Sequence, residues 1–377
     1  MFEMKEALEK QPGWIEVDLK QFRRNWEAIT KFQPPGVEIA YVVKDDAYGH
    51  GAMTLAAVEV EFSAVMLVVA SVPEALELRR TFDHPILILG ERNPQEYAVC
   101  LEHNLVPCIA SHAAFAELQT VLRQLGTSLH VHLKIDTGMS RYGFRWNETE
   151  KLFSTLQKSP EIIVEGIMSH FAMSDELDKT FARLQLARFH EVLTLAREAG
   201  LNPKYSHICN SGGFLDLPEA HFNLVRLGIL PLGVYPSKVC QRLEGVGPIM
   251  SVKSRLASIK TLLPGDHVGY GMRFTAEQPM RIGVIPIGYG YGYPRVRNQG
   301  HVLVRGQRAP IVGGVSMDAI AVDLTTIIEA QAWDDVTLLG RNGQDEISIE
   351  ELAALRNSVS YDAMVSWSNR LPRCYLE

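Results

Sequence analysis

A lysine that directly follows a β-branched apolar run is the residue best suited to covalent chemistry. Ala40 to Val43 has the pattern of a buried strand, Lys44 follows it, and Gly49-His50-Gly51 comes shortly after. Such a strand delivers an amine to the mouth of a pocket, and the glycines let backbone approach a ligand closely. A desolvated amine attacks carbonyl carbon. An isolated Val-Val-Lys would indicate a lysine reaching into water, but the Ala-Tyr-Gly-His-Gly that follows favours the reactive amine.

The segment from Lys44 to Gly51 resembles the motif that binds pyridoxal phosphate in the alanine racemase family. Further segments resemble the same family and follow its order along the chain. One short motif is weak evidence, whereas so many in one order argue against chance. They are Leu133–Phe144, Ser169–Asp175, His207–Gly213, Val225–Ile229, Gly269–Gly271, Gly288–Arg295, Val315–Asp318 and Ser360–Arg373.

Composition indicates a globular protein and excludes several classes of function. The chain has 377 residues, 46% hydrophobic and 21% charged, which suffices for two domains with substantial cores. A net charge of −7 with scattered basic residues predicts neither a nucleic-acid nor a membrane surface. The charged start and the lack of a long apolar run predict a cytoplasmic protein. Five widely spaced cysteines predict neither disulfides nor a metal site.

Two domains are expected from a change in pattern near residue 238. Up to that point, short β-rich runs alternate with amphipathic helical stretches, which predicts parallel βα units. The length fits a (β/α)8 TIM-type barrel over residues 12–238. An open doubly wound sheet is the alternative, but no Gly-x-Gly-x-x-Gly follows an early strand. Residues 239–377 alternate apolar and polar with Gly and Pro breaks and predict a mostly β domain. The resemblance implies that residues 1–11 pack on it.

The resemblance implies two catalytic residues. Lys44 would carry the cofactor and then act as one base at the substrate Cα, and Tyr270 would act on the opposite face. Racemisation needs a base on each face, because a single base returns the proton mostly to the side it came from. Tyr270 lies in the β domain and in the family reaches the partner's barrel. The resemblance therefore implies a homodimer with shared active sites.

The cofactor would be held at both of its ends. Arg226 would face the pyridine nitrogen, where a permanent cation disfavours a second positive charge and so limits side reactions. Without the resemblance, Arg226 could equally be a strand-end arginine in a surface ion pair. His170 would bridge Arg226 and Tyr270. The residues that would bind the phosphate are Tyr48, Ser211, Gly228, Ile229 and Tyr361.

The substrate carboxylate would meet Arg141, Met317 and Asp318. Lys134 matches a lysine that is often carbamylated by carbon dioxide in the family, which would make it an anion that holds Arg141. The plain alternative is a lysine that forms a salt bridge with Asp136 or with another residue. No metal is expected.

The sequence departs from the family pattern at four places. Asp45-Asp46 follows the lysine, Leu227 follows Arg226, Tyr291 replaces a usual aspartate, and Gly314 replaces a frequent arginine. The last two lie near the expected substrate entrance. They leave strict preference for alanine open, and a racemase of serine or of broader specificity is an alternative.

The resemblance implies interconversion of L- and D-alanine, supplying D-alanine for peptidoglycan. A non-catalytic carrier of pyridoxal phosphate is a rival, but that class lacks the β domain. An amino-acid decarboxylase is a second rival, and Arg226 argues against it because such enzymes place a carboxylate at the pyridine nitrogen.

Overall fold

The computed structural model describes residues 10–62 and 64–377, which divide into two compact units. The barrel unit contains Arg23–Ala47 and Gly51–Val246. The β unit contains the described residues up to Phe22, together with Tyr48–His50 and Gly247–Glu377. The domain boundaries 12–238 and 239–377 remain predictions, and most of the segment 1–11 lies outside the described residues.

The strands follow the chain order. They are β1 (Gly13–Asp18), β2 (Glu38–Val42), β3 (Met66–Val69), β4 (Ile86–Ile88), β5 (Val106–Ile109), β6 (Leu129–Asp136), β7 (Phe144–Arg145), β8 (Ile162–Met168), β9 (Tyr205–His207), β10 (Leu224–Leu227), β11 (Met250–Arg255), β12 (Ser258–Leu262), β13 (His267–Val268), β14 (Phe274–Thr275), β15 (Met280–Ile285), β16 (His301–Val304), β17 (Gln307–Pro310), β18 (Ile320–Asp323), β19 (Asp335–Asn342), β20 (Asp345–Ile347) and β21 (Arg373–Leu376).

The helices lie mainly in the barrel unit. They are α1 (Leu19–Phe32), α2 (Lys44–Gly49), α3 (Ala52–Glu59), α4 (Val72–Arg79), α5 (Pro94–Glu102), α6 (His112–Leu125), α7 (Thr149–Leu156), α8 (Thr180–Glu198), α9 (Ser211–Asp216), α10 (Ile349–Leu355) and α11 (Ser360–Val365). No helix of the described residues is long and apolar enough to cross a membrane.

The barrel unit is a nearly closed parallel barrel. Its strands run in the order β10-β2-β3-β4-β5-β6-β8-β9, with the short β7 beside β6. The two ends of this sheet approach each other, and the Arg226 N–H donates to the Cys209 carbonyl at 3.1 Å. β3, β4 and β5 are buried at every position, as expected for parallel strands covered on both faces. The prediction of a TIM-type barrel is confirmed.

Local sequence signals fix where the barrel helices begin. Ser71 and Asn93 each cap a helix and are answered by Glu74 and Glu96 three residues on, which completes two capping boxes. Proline occupies an early position of both helices, where its missing N–H has no intrahelical partner in any case.

The β unit contains three sheets. The largest runs β17-β16-β19-β11-β1-β21, with β20 beside β19. The second is β12-β15-β18 and the third pairs β13 with β14. A hydrophobic cluster that includes Leu262, Val268, Met280 and Val312 spans the smaller sheets and the chain between them. The prediction of a sheet-rich second domain is confirmed.

Candidate active site

The site residues of the barrel unit lie at the carboxyl ends of its strands. Lys44 follows β2, Lys134 lies near the end of β6, His170 follows β8, and Arg226 lies in β10. The carboxyl ends of barrel strands meet on one face of the barrel, and in (β/α)8 enzymes that face carries the active site. The fold therefore brings together residues that are up to 182 positions apart, since the first is number 44 and the last is number 226.

The segment after Lys44 is a left-handed helical turn rather than an ordinary polar turn. Asp45, Asp46, Ala47 and Tyr48 have φ values between 51° and 55°. This conformation costs an L-residue about 1–2 kcal/mol, so four in succession require support from their surroundings. The turn sets the direction in which the chain leaves the Lys44 backbone.

Asp45 and Asp46, which depart from the family pattern, suit this turn. Short polar side chains tolerate the left-handed region better than most. The Asp45 N–H donates to Glu74 Oε1 at 2.6 Å, and the Ala52 N–H donates to Asp46 Oδ1 at 2.8 Å. These bonds attach the turn to the start of α4 on one side and to the start of α3 on the other.

Arg226 is a buried cation held by neutral acceptors. It is 3% exposed, and its Nη1 donates to His207 Nδ1 at 2.8 Å. Its Nη2 donates to His170 Nδ1 and to the Ser169 carbonyl, both at 2.9 Å. Burial lowers the pKa of Arg226 to about 10, which still leaves it charged near neutrality. Within the described chain no carboxylate pairs with it, so the surface ion pair left open by the sequence is wrong.

His170 lies among positive charges. Burial, and then the charges of Arg226, Lys134, Arg141 and Lys44, hold the pKa of His170 well below its usual range. The ring is therefore a neutral imidazole. The basic side chains that lower the pKa of His170 make this end of the barrel electropositive and suited to an anionic ligand.

Lys134 has the electrostatic surroundings of a reactive amine. Burial, followed by the positive charge of Arg226, lowers the pKa of Lys134 to about 7. The described ion pairs do not include one between Lys134 and Asp136, whose Oδ1 accepts the N–H groups of Gly138 at 2.9 Å and Ser140 at 3.0 Å. Asp136 instead shapes the loop that carries the exposed Arg141.

Ser211 begins the short helix α9 and is buried. Its Oγ accepts the Leu230 N–H at 3.4 Å, in the turn directly after Gly228 and Ile229. Asn210 caps α9 by accepting the Gly213 N–H at 3.0 Å. The loops after β9 and β10 thus join at the start of α9, where backbone N–H groups favour an anion.

Tyr270 is the most exposed large side chain of the β unit's candidate site, at 82%. It lies between Gly269 and Gly271, both with positive φ, in a tight turn after β13. Asn298 fixes this turn: its Nδ2 donates to the Arg273 carbonyl at 3.0 Å and its Oδ1 accepts the Gly313 N–H at 2.7 Å. The turn therefore has a defined backbone while the phenol faces outward.

Met317 and Asp318 lie on a loop held beside the Gly288–Gly292 segment. A Cβ at Gly288 would lie 2.0 Å from the Ser316 carbonyl, so only glycine allows this approach. Arg370 donates to the Tyr291 hydroxyl at 2.9 Å and pairs with Asp318 at 3.3 Å. Tyr291 thus accepts a hydrogen bond from Arg370, with which an aspartate at position 291 could have formed an ion pair.

Tyr48 and Tyr361 also lie together in the β unit. Their ring centroids are 6.1 Å apart at an interplanar angle of 55°. The two candidate phosphate-binding phenols are therefore neighbours, although 313 positions separate them, from number 48 to number 361.

Two histidines take part in this network without having been assigned a role from the sequence. His207 occurs inside the His-Ile-Cys-Asn-Ser segment, and His132 lies two residues before Lys134 in a buried strand. The sequence signal that could have identified them is a histidine inside an apolar strand pattern, because a buried titratable side chain needs a hydrogen-bond partner.

Comparisons with known proteins give matches over nearly the whole chain. The family described as "Alanine racemase, N-terminal domain" matches residues 17–236, and "Alanine racemase, C-terminal domain" matches residues 249–375. The alanine racemase of Syntrophobacter fumaroxidans is 41% identical over 94% of this chain and 95% of its own. That of Carboxydothermus hydrogenoformans is 36% identical over 97% of this chain and 100% of its own.

Solved structures give the same result. An alanine racemase from Clostridium difficile 630 superposes with a TM-score of 0.92 at 31% identity, over 98% of this chain and 96% of its own. The alanine racemase from Bacillus anthracis with bound L-Ala-P has a TM-score of 0.91 at 33% identity, over 97% and 95% of the two chains.

Proposed function

The chain belongs to the alanine racemase family, and from that premise we propose that it interconverts L- and D-alanine by moving the Cα proton between two bases. The observation that carries this proposal is the geometry at the barrel's carboxyl face, where the buried Arg226 donates to His207 and His170 and pairs with no carboxylate among the described residues. An amino acid and a phosphorylated cofactor are both anions that such a site attracts.

The residues present fit pyridoxal phosphate. The bonds from Arg226 to His207, His170 and Ser169 leave its Nε–H and one Nη1–H without a hydrogen bond among the described residues. An N–H donor of this kind, on a side chain that is 3% exposed, fits a pyridine nitrogen, which offers one lone pair and no charge. The cofactor, when bound, supplies an aldehyde for amines and a ring that accepts the electron pair left at Cα.

Arg226 limits the side reactions of the cofactor ring. A guanidinium cannot take the role of a carboxylate, which would accept and stabilise a proton at the facing nitrogen. Its own charge also disfavours a second cation beside it. The neutral rings of His170 and His207 keep Arg226 directed and leave its charge uncompensated.

Lys44 and Tyr270 act as the two bases of the proposed reaction. Lys44 would hold the cofactor, and its free Nζ would take or return the Cα proton on one face. Tyr270 serves the other face, in the active site of a second copy of the chain. Its 82% exposure and its place in a unit different from that of Lys44 support this proposal. The protein is accordingly a homodimer with shared sites.

The two ends of the bound molecules are held by separate groups. Tyr48, Ser211, Gly228, Ile229 and Tyr361 bind the phosphate, through hydroxyl and backbone N–H donors. Arg141, Met317 and Asp318 bind at the substrate carboxylate. The pKa of Lys134, about 7, makes its neutral amine abundant near neutrality. That amine would add to the carbon of carbon dioxide and release one proton to solvent, and the resulting carbamate anion would hold Arg141.

D-alanine made in the cytoplasm supplies peptidoglycan in this proposal. The rival of a non-catalytic carrier is disfavoured because the C-terminal domain of the alanine racemase family matches residues 249–375.

A direct experiment is chiral analysis of the products that purified protein, loaded with pyridoxal phosphate, makes from a panel of single L-amino acids. We expect conversion of L-alanine to an equal mixture of enantiomers and the same mixture from D-alanine. Absence of any enantiomer exchange with alanine, by protein that has bound the cofactor, would refute the proposal.

A further inference from the structure

A second buried imidazole stands behind His207, on the side away from Arg226. His132 Nδ1 lies 2.9 Å from His207 Nε2, and both side chains are fully buried. The ring centroids are 5.0 Å apart and the planes meet at 68°, so the nitrogen of one ring faces the nitrogen of the other. His132 therefore contacts no ligand of the proposed site directly and can act on it only through His207.

The positions of the protons along this chain follow from Arg226. A guanidinium only donates, so His207 Nδ1 must be the unprotonated nitrogen that accepts. A neutral His207 then carries its proton on Nε2 and donates it to His132 Nδ1. His132 in turn carries its proton on Nε2. Both rings are neutral, because burial, followed by the charge of Arg226, lowers the pKa of His132 to about 3 and that of His207 well below its usual range.

The fold accepts two costs to keep an imidazole at this position. The first is an unsatisfied donor, since His132 Nε2 is buried and has no hydrogen-bond partner among the described residues. A buried donor without a partner destabilises the folded state. The second is space: a Cβ at Gly166 would lie 2.6 Å from the His132 ring, so the facing strand must have glycine there.

We propose that His132 is a positioning residue whose Nδ1 accepts the His207 Nε2–H and thereby keeps His207 Nδ1 directed at Arg226. This inference rests on the proposed function, because its consequence is the orientation of Arg226 toward the cofactor ring. A hydrocarbon at position 132 would leave the His207 Nε2–H buried without a partner. His207 would then rotate to find one, and Arg226 would lose one of its two imidazole acceptors.

Side chains that differ in where they place an acceptor test this role. Asn at position 132 puts an oxygen near the place of Nδ1, whereas Gln puts it near Nε2 and Leu supplies none. The readouts are the absorbance of the bound cofactor across pH, which reports protonation of its ring, and kcat and KM for alanine. His130→Leu is the matched control, because His130 lies on the same strand with a side chain 57% exposed.

We expect His132→Leu and His132→Gln to change the pH profile of the absorbance and to lower kcat about tenfold with little change in KM, the size of one hydrogen bond to a charged group. His132→Asn should stay within about threefold of the unsubstituted protein, and His130→Leu should match it, on the same scale. In an Arg226→Lys background the three variants at position 132 should no longer differ, because they act through the arginine.

Each other outcome is informative. If His132→Leu does not fold, the comparison of His132→Asn with His132→Gln decides the question. Equal absorbance profiles and equal kcat in these two variants overturn the inference. Unchanged absorbance and kcat in His132→Leu also overturn it. If the unsubstituted protein binds no cofactor or exchanges no enantiomers, the proposed function fails and this inference fails with it.

Discussion

The Nη1 of Arg226 donates to the Nδ1 of His207 across 2.8 Å, so a neutral ring rather than a carboxylate accepts from a buried cation. Burying a charge without a paired counter-charge is expensive, and a fold bears that cost when the charge has a task. The task proposed here is to keep the cofactor's pyridine nitrogen unprotonated.

Replacing Arg226 by Glu should have the opposite effect on the protonation of the pyridine nitrogen. A carboxylate beside the nitrogen lets it protonate and makes the ring a stronger acceptor of electrons. We expect slower racemisation, new absorbance at longer wavelength during turnover, and more side reactions. Arg226→Lys is the control that keeps the charge but not the paired donors. Spectra and rates unchanged in Arg226→Glu would mean that the residue does not face the ring.

Two fully buried histidines, His132 and His207, should make the fold sensitive to acid. His132 and His207 stay neutral in the native state, whereas in the unfolded chain each takes up a proton below its usual pKa of about 6.5. The unfolded state then binds more protons, so stability falls as pH decreases below about 6.5, by up to about 1.4 kcal/mol per pH unit for each ring.

Urea unfolding between pH 7 and pH 5 measures this slope. His132→Asn should lower the slope by the contribution of one proton. His130→Asn, at an exposed position of the same strand, is the matched control for the loss of an imidazole. An identical slope in His132→Asn and the unsubstituted protein would show that His132 is protonated in the native state.

Many elements of both units can be predicted because their patterns are local. In the barrel unit, the amphipathic pattern of residues 112–125 predicts a helix, and α6 has the same bounds. In the β unit, the pattern of residues 301–304 predicts a strand, and β16 has the same bounds. The pattern of residues 250–263 predicts one strand, but this segment forms two, β11 and β12, in different sheets. Apolar alternation continues through Leu256, and the break arises from distant partners: its N–H donates to the Asp334 carbonyl and that of Ala257 to Val284.

The network around Arg226 shows what the sequence could not reveal. His132 and His207 are 75 positions apart, and their bond exists only because β6, β8 and β9 pair in one register. The left-handed turn after Lys44 was also missed, since Asp-Asp-Ala-Tyr has no glycine to indicate positive φ. Short motifs predicted which residues matter, whereas strand register decides which of them touch.

Lys44 should be the residue that bears the cofactor. The protein loaded with pyridoxal phosphate should be yellow, and borohydride should fix the cofactor irreversibly because it reduces the bond between amine and aldehyde. Peptide mapping should find the added mass on the peptide containing Lys44 and none in Lys44→Arg. A label on Lys134 instead would contradict the assignment, and its lowered pKa makes that lysine the stringent comparison.

Tyr291 and Gly314, which depart from the family pattern near the expected substrate entrance, should relax the preference for alanine. Arg370 lies 4.0 Å from the Tyr291 ring centroid, and Arg297 Cγ lies 3.5 Å from where a Cβ on Gly314 would be. A hydrophobic pocket rejects a substrate that only adds a hydroxyl by no more than about a hundredfold, so serine should be turned over measurably. The double substitution Tyr291→Asp with Gly314→Arg should lower the ratio of kcat/KM for serine to that for alanine about tenfold. Negligible serine turnover by the unsubstituted protein would end this idea.

Tyr270 should act in the active site of the partner copy. Lys44→Ala and Tyr270→Phe are each expected to be inactive, because each removes one of the two bases. In a mixture whose subunits exchange freely, half of the dimers are mixed, and one of the two sites in each holds both Lys44 and Tyr270. About a quarter of the unsubstituted activity should then return, by the statistics of a two-fold dimer.

The matched control is a chain that carries both defects. Mixed with Lys44→Ala, the double variant Lys44→Ala with Tyr270→Phe offers no intact lysine, so that mixture should stay inactive. Each single variant should also exchange the Cα proton with solvent deuterium unequally from L- and D-alanine, since only one face keeps its base. Exchanging mixtures of the two single variants that regain nothing would mean that Tyr270 serves its own chain or is not the second base. The asymmetry of deuterium exchange separates these two outcomes, because a base keeps its preference for one enantiomer whichever chain it serves.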